Sequence, residues 1–490
     1  MSDEGRPTSV NAAAGAEPGR RAPNVVLMNC DDLGYGDLGC YGSSLHRTPA
    51  LDRMADEGMR FTDFYMASPV CSPSRAALLT GCYPPRIGFG DFDGLPVLFP
   101  GHRLGLDPSE ISIARMLHQA GYATKLVGKW HCGDQPEFLP TRHGFDSYYG
   151  LPYSNDMGIQ ALPPGSPPVA ELLARFGIRL PLDDMPPLPL LDDETVIEEQ
   201  PDQASLTARY VEASVRFIRE HRARPFFLYL AHLYVHVPIY VQEGFLRRSA
   251  NGRYGAAVES IDWAADVILR ELVRLGLDDS TIVVFTSDNG SRGVDGGSNG
   301  PLRGAKGSTW EGGMRVPCIV RWPGRVPAGS VGTSMASSLD LYPTLARLCG
   351  GVVPSEPTID GQDITSLLTD GDAAGSPRDE FLFYRGNDLE AVRHGRWKLH
   401  VAKGGQATTQ LYDLVDDPGE STDVSEQHPA IVSDLEARAE SARVELGDAR
   451  LGRIGAGVRS VGVVDAPVPL TTFDPDHPYY LAEYDLTDRG

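Results

Sequence analysis

The sequence predicts an α/β fold: a large, mostly parallel sheet sandwiched by helices, followed by a smaller antiparallel sheet with one helix. Three observations predict it. Short apolar runs alternate with amphipathic helical patterns over roughly 300 residues, which implies a parallel sheet covered on both faces. Several of these runs end in polar residues, the place where open α/β sheets bind ligands. From about residue 378 the pattern changes to closely spaced strands, as in an antiparallel meander.

The elements follow in order. Residues 1–22 are rich in Gly, Ala, Pro and charge and read as a disordered tail. Val25, Val26, Leu27 and Met28 suit a buried strand that runs into Asp31 and Asp32. A helix is expected with Thr48 as N-cap, Pro49 at its first position and Gly58 as its stop. A second starts just after Cys71, and a third covers about 109–119. Residues 122–127 read as a strand ending at Gly128-Lys129-Trp130-His131. A helix over 205–221 precedes the strand 226–230. In 256–275, Val258, Ile261, Ala265, Ile268, Leu272 and Leu275 step by three and four and form one apolar stripe. The strand 282–285 then ends at Asp288 and Asn289. Residues 157–200, with many Pro and several Asp, read as an inserted surface segment. Strands are expected at 381–384, 389–392, 397–400 and 411–414, then a helix over 429–445. The expected organisation is therefore a tail over 1–22, a large domain over 23–377, a subdomain over 378–450 and an extension over 451–490 whose pattern assigns it no element.

Composition sets limits. The chain has 490 residues, 41% of them hydrophobic and 22% charged, which is enough for a full core without disulfides or metal. Its net charge of −22 argues against nucleic acid as a partner. An anionic substrate would need a pocket that reverses this field locally. The seven cysteines contain no CxxC pair and read as reduced core thiols. The first 24 residues lack an apolar leader segment, and no stretch has the length a membrane span requires. A cytoplasmic protein with no membrane partner is expected.

Four expected strand ends deliver Asp31 and Asp32, Lys129 and His131, His236, and Asp288 and Asn289; one helix start delivers Cys71 and Arg75. Taken singly, each has a bland explanation as a turn, a cap or a surface charge. Together they converge on one rim of a parallel sheet. Asp31, Asp32, Asp288 and Asn289 are hard oxygen donors that suit Ca²⁺ or Mg²⁺ rather than Zn²⁺. Crowding of three carboxylates and an amide favours Ca²⁺, because Mg²⁺ resists dehydration. Arg75, Lys129, Lys306, His131 and His236 would add cationic or proton-donating groups, as an anionic ester needs in an acidic protein.

Residues 68–81 read SPVCSPSRAALLTG. This segment resembles the sulfatase signature C-x-P-x-R with its small-residue helix and Thr-Gly. The resemblance runs from about residue 23 to 440. Residues 24–37 (NVVLMNCDDLGYGD) look like the first metal loop of that family, residues 128–131 like its Gly-Lys-Trp-His loop, and residues 152–156 (PYSND) like an active-site loop of the arylsulfatase A group. His236-Val237-Pro238, Ser287-Asp288-Asn289-Gly290, Lys306-Gly307 with Glu311-Gly312-Gly313, and Leu411-Tyr412-Asp413-Leu414 match further motifs.

The resemblance implies an alkaline-phosphatase-like fold and a sulfate monoester substrate, aryl or carbohydrate. It implies that a maturation enzyme oxidises Cys71 to formylglycine, whose hydrate attacks sulfur beside Arg75 with the side chain of residue 71 also on the metal. It casts His236 as the acid that protonates the leaving alcohol and His131 as the base that releases sulfate. Lys129 and Lys306 neutralise sulfate oxygens, and Ser154 is a hydrogen-bonding partner in the pocket. Residues 157–200 and 89–100 are expected to shape the substrate pocket. Two other readings stand beside this one: a phosphonate or phosphate ester hydrolase of the same superfamily, and a non-catalytic anion binder in which Cys71 stays a thiol.

Overall fold

The computed structural model describes residues 21–159 and 185–479. All but the last two residues of the expected tail lie outside that range, as do residues 160–184 of the expected insertion. The centre is a ten-stranded mixed sheet. Its strands lie in the order Ser330–Gly332, Met59–Phe61, Cys318–Arg321, Thr281–Ser287, Asn24–Cys30, Phe226–Ala231, Ala123–Gly128, Ser147–Gly150, Pro189–Asp192 and Thr195–Glu199. The middle five, from Thr281–Ser287 to Ser147–Gly150, are mutually parallel, so their C-terminal ends share one rim.

Residue alternation divides the core. Val25 and Leu27 enter one apolar cluster with Leu78, Leu117 and Leu345, from the helices Cys71–Thr80, Ile113–Gln119 and Leu341–Cys349. Val26 and Met28 enter the opposite cluster with Leu51, Tyr210 and Ile261, from Pro49–Asp56, Gln203–His221 and Gly252–Arg274. A strand buried on both faces is why the 24–30 segment reads as continuously apolar.

The small sheet is antiparallel, with strands Glu380–Arg385, Asp388–His394, Trp397–Lys403 and Gln406–Asp413 in sequential order. The helix Pro429–Leu446 contributes Leu435 and Ala439 to the same cluster. Phe381 and Phe383 meet Tyr65 of the large domain at ring distances of 5.1 and 5.6 Å, which joins the two parts through an apolar seam. Among the described residues, no helix is long and apolar enough to cross a membrane.

Several elements differ from expectation. Thr48 does not cap the helix it precedes: its hydroxyl donates to Asp52, and Asp262 from the 252–274 helix accepts the free Ala50 and Leu51 amides at 2.9 and 2.8 Å. Gly58 does follow that helix as its expected stop, and it is also required for contact, since a Cβ there would lie 2.4 Å from the Val320 carbonyl oxygen. The third helix begins at Ile113 rather than near 109, because Ser112 caps it by accepting from the Arg115 amide at 3.0 Å. The end of the 157–200 segment is part of the main sheet: Pro189–Asp192 and Thr195–Glu199 form an edge hairpin whose turn residue Asp193 has φ 54°. The segment after residue 451 is assigned as well. It runs back across the large domain, and Gly462–Val463 pairs with Leu104–Gly105.

Candidate active site

Each functional side chain is placed by an element end on the shared rim. The strand Asn24–Cys30 delivers Asp31 and Asp32, Ala123–Gly128 delivers Lys129 and His131, and Ser147–Gly150 leads to Ser154. His236 follows Phe226–Ala231, and Asp288 and Asn289 follow Thr281–Ser287. Cys71 is the first residue of the Cys71–Thr80 helix, so the positive end of that helix faces the site. Close backbone approach is needed at two glycines. A Cβ on Gly128 would lie 1.8 Å from the Ala231 carbonyl oxygen, and one on Gly290 would lie 1.8 Å from that of Gly312. The second contact brings the loop of Lys306 against the loop of Asp288.

The eleven residues singled out in the sequence form one buried centre. The Cys71 thiol donates to Asp31 Oδ1 at 3.4 Å. Lys129 Nζ donates to Asp31 Oδ2 at 2.5 Å and to Ser154 Oγ at 3.3 Å. Lys306 Nζ donates to Asp32 Oδ2 at 3.0 Å, and His236 Nε2 lies 3.9 Å from the same oxygen. Arg75 Nε donates to Asp288 Oδ2 at 2.8 Å, and its Nη2 lies 2.7 Å from the same oxygen and 3.6 Å from Asp31 Oδ2 as an ion pair. Asn289 Nδ2 donates to Asp32 Oδ1 at 2.7 Å. All of these groups are buried except Lys306, whose side chain keeps 10% of its surface and so marks the way in. Asp32 and His131 hold φ near 60° (60° and 63°), strained backbone of the kind that gathers at functional sites.

The charges respond to this crowding. Burial works against ionisation of Asp31, but Lys129, then His236, Arg75 and Lys306 outweigh it and hold the carboxyl well below its usual range. Burial and then the neighbouring Asp31 push Asp288 up to about 7, against the pull of Arg75. Burial would lower Lys129 and Lys306, yet Asp31 and Asp32 keep them charged. Burial followed by Asp31 pushes the Cys71 thiol far up, so the unmodified side chain is protonated at neutral pH and a poor nucleophile.

The two histidines present opposite nitrogens. His131 Nε2 sits 2.9 Å from the Leu98 carbonyl oxygen and must carry the hydrogen, which leaves Nδ1 as a buried lone pair without a hydrogen-bond partner. Burial and then Lys129 push His131 well below its usual value, so it is neutral. His236 Nδ1 sits 2.5 Å from the Val237 carbonyl oxygen, which turns Nε2 toward Asp32. His236 is also lowered, by burial and then Lys306, with Asp32, Asp31 and Asp156 opposing.

The donor set fits a hard cation. Ligand atoms of Asp31, Asp32, Cys71 and His236 lie within 4.8 Å of one another. Asn289 Oδ1 is buried with no hydrogen-bond donor, and Asp288 Oδ1 accepts from the Asp32 amide at 3.2 Å. Two lysines and an arginine match the three carboxylates in formal charge, and the amide oxygen of Asn289 is left without a partner. A divalent cation among them would satisfy the orphaned oxygen and keep Asp288 ionised.

Three contributors had a weak or absent signal in the sequence. The Leu98 carbonyl orients His131, and the Leu98 amide donates to Ser72 Oγ at 3.1 Å, so the 89–100 loop closes over the start of the Cys71 helix. Ser74 Oγ donates to the Asp288 carbonyl at 2.5 Å. Asp156 influences His236 and lies in the 152–156 loop already noted. Ser72 and Ser74 lie inside the cysteine motif; a backbone carbonyl such as that of Leu98 leaves no trace in residue identity.

Comparison with known proteins agrees with this geometry. The family model described as Sulfatase matches residues 23–352, and the model described as N-sulphoglucosamine sulphohydrolase, C-terminal, matches residues 305–445. Steryl-sulfatase of Mus musculus is 37% identical over 88% of this chain and 84% of its own. Arylsulfatase A of Homo sapiens is 40% identical over 82% and 83%. A solved structure, Ps i-CgsB in complex with k-i-k-neocarrahexaose, superposes with TM-score 0.74 at 32% identity, covering 86% of this chain and 92% of that one.

Proposed function

The chain belongs to the sulfatase family and is a sulfuric ester hydrolase, and from that premise we propose that it cleaves sulfate monoesters of an aryl or carbohydrate alcohol with a nucleophile made from Cys71. The observation that carries this reading is the setting of Cys71. It lies at a helix N-terminus, 3.4 Å from Asp31, with its own thiol held protonated by burial. Thiolate chemistry is disfavoured there, whereas oxidation by a maturation enzyme to formylglycine, and hydration of that aldehyde, would give two hydroxyls where the sulfur now lies. Asp31, Asp32, Asp288 and Asn289, with the side-chain oxygen of the converted residue 71, would hold Ca²⁺ in preference to Mg²⁺; the ion would supply a positive centre for sulfate oxygens and for the attacking hydroxyl.

The protein groups then have these tasks. Lys129 and Lys306 flank the carboxylates and bind sulfate oxygens as charge moves onto them. Arg75 braces Asp288 and Asp31 and so fixes the donors around residue 71. One hydroxyl of the hydrated residue 71 attacks sulfur and passes its proton to the Asp31 carboxylate, toward which the side chain of residue 71 points; the ester S–O bond breaks, and the leaving oxygen takes a proton from Nε2 of His236 in its imidazolium form, whose Nδ1–H stays on the Val237 carbonyl. His131, with Nδ1 open, removes the proton of the second hydroxyl. The Cβ–O bond to sulfate breaks, the aldehyde re-forms, sulfate leaves, and water restores the hydrate. Ser154, hydrogen-bonded to Lys129, orients that ammonium.

The alcohol is less constrained. The names of relatives at similar identity include a steryl and an aryl substrate, and the superposing structure holds an oligosaccharide. The test is parallel turnover of aryl sulfate, sulfated sugar and aryl phosphonate by one preparation whose residue 71 has been characterised by mass. Sulfate turnover that requires the aldehyde supports the reading; faster phosphonate turnover would transfer the protein to phosphonate hydrolysis.

A further inference from the structure

The segment after residue 451 carries no element that its sequence predicts, and it lies beyond the last residue matched by either family model. Residues 459–471 nonetheless run against three loops that carry the candidate site. Arg459 anchors it: the guanidinium donates to both oxygens of the buried Glu110 at 2.7 and 2.9 Å, and its amide donates to the Arg86 carbonyl at 2.6 Å. Gly462 and Val463 then pair with Gly105 and Leu104, and the Leu106 amide donates to the Cys132 carbonyl at 2.8 Å. The paired strand is thereby continuous with the residue next to His131. Space there is minimal. A Cβ on Gly462 would lie 2.6 Å from the Phe138 ring, and one on Gly133 would lie 3.0 Å from the Gly105 Cα.

Two further contacts reach the other loops. Gln135, 2% exposed, forms a reciprocal amide pair with Val468: its Nε2 donates to the Val468 carbonyl at 3.2 Å, and the Val468 amide donates to its Oε1 at 2.9 Å. The buried Thr471 donates to the Pro187 carbonyl at 2.5 Å and also faces Tyr153, the neighbour of Ser154. The loops are themselves laced together. The Trp130 and His131 amides donate to the Leu151 and Pro152 carbonyls at 3.1 and 3.0 Å, and His131 Nε2 to the Leu98 carbonyl.

We propose that residues 459–471 form a strap that sets the positions of His131 and Ser154, with Gln135 and Thr471 as positioning residues. The proposal rests on the sulfate-ester reading only in the roles given to His131 and Ser154. Buried side chains spent on backbone partners in a distant segment specify that segment's position, and a displacement of the order of 1 Å at a reacting group costs about a hundredfold in rate.

The test compares the full chain with a chain lacking residues 461–490 and with full-length Gln135→Ala and Thr471→Val. Hydrogen exchange is read beside kinetics on aryl sulfate. The strap predicts that amides in 98–106, 130–135 and 151–156 exchange about tenfold faster in the shortened chain, while 24–30 and 281–287 are unchanged. It predicts that Gln135→Ala lowers kcat about tenfold with KM within about twofold, and that a peptide covering 457–479 added in trans restores both readouts to the shortened chain. Unchanged exchange in all three loops, or kcat falling only with the folded fraction, would overturn it. If the shortened chain does not fold, the two full-length variants decide on the same criteria. If the parent turns over no sulfate ester, the functional reading fails, and the exchange arm still decides the strap.

Discussion

Cys71 and Lys129 each donate directly to one oxygen of Asp31, at 3.4 and 2.5 Å. Lys306 bonds to Asp32 and lies nearest solvent, and in the proposed reaction it binds sulfate oxygens. We expect Lys306→Ala to lower kcat/KM on aryl sulfate by about 10²–10³ in the folded fraction, and also to lower thermal stability, because the buried Asp32 loses its ammonium. Chelation of the divalent cation should abolish turnover, and Ca²⁺ should restore it better than Mg²⁺; full activity in metal-free protein would remove the carboxylate cluster from the chemistry. The chemically capable residues were legible because carboxylates, lysines and histidines at buried strand ends are costly to keep without a purpose. The Leu98 carbonyl and the orphaned Asn289 oxygen were not, since backbone acceptors and unsatisfied atoms exist only after folding.

Helices and central strands follow their apolar periodicity, but their ends obey tertiary partners. Asp262 rather than Thr48 caps the 49–56 helix, and no local pattern connects positions so far apart. Burial pushes Asp262 up to about 6 from an ordinary 3.8, despite the two amides it accepts from. A raised folded pKa means that its contribution is complete below the unfolded value and is lost as pH rises through about 6. Stability should therefore decline relative to Asp262→Asn between about pH 4 and pH 6.5, as read by denaturant unfolding; parallel profiles would refute the assignment. The edge hairpin after Pro189 was hidden because proline and aspartate dominate its flanks, and its register depends on Asp193 accepting from the Tyr148 amide at 2.8 Å.

A buried ion cluster joins the segment after Lys306 to the small sheet. Lys398 Nζ, fully buried, lies 2.9 Å from Glu311 and 3.1 Å from Glu420, and Glu420 also accepts from the Glu311 amide and from His400. This ties the 306–315 segment to the small sheet. Lys398→Met leaves two carboxylates buried without their ammonium and should destabilise the protein by about 3–5 kcal/mol, partly recovered by adding Glu311→Gln. Equal stability of Lys398→Met and parent would show that the seam tolerates uncompensated charge.

At the scale of the whole molecule, five parallel strands and one helix start converge their polar ends on a single rim, so residues scattered from 31 to 306 meet. The convergence of the strand-end residues was legible from alternation, and that of Lys306 was not; the return of the last segment across the same rim was hidden as well, because its contacts are glycine approaches, backbone pairs and single side chains meeting partners far off in sequence. The net charge of −22 opposes anionic substrates until they reach Lys306 and Lys129. KM for a small aryl sulfate should therefore fall as salt rises from about 10 to about 200 mM, because screening weakens the outer field more than the buried contacts; a rise in KM would show that the local positive field dominates at long range.

The most direct test of the central claim is the mass of the tryptic peptide spanning residues 61–75, from protein made alongside a working maturation enzyme. A formylglycine at residue 71 makes this peptide lighter by one hydrogen sulfide and heavier by one oxygen, and its share of the peptide should rise in proportion to sulfate-ester turnover. A peptide carrying only the intact thiol, in protein that still hydrolyses sulfate esters, would contradict it.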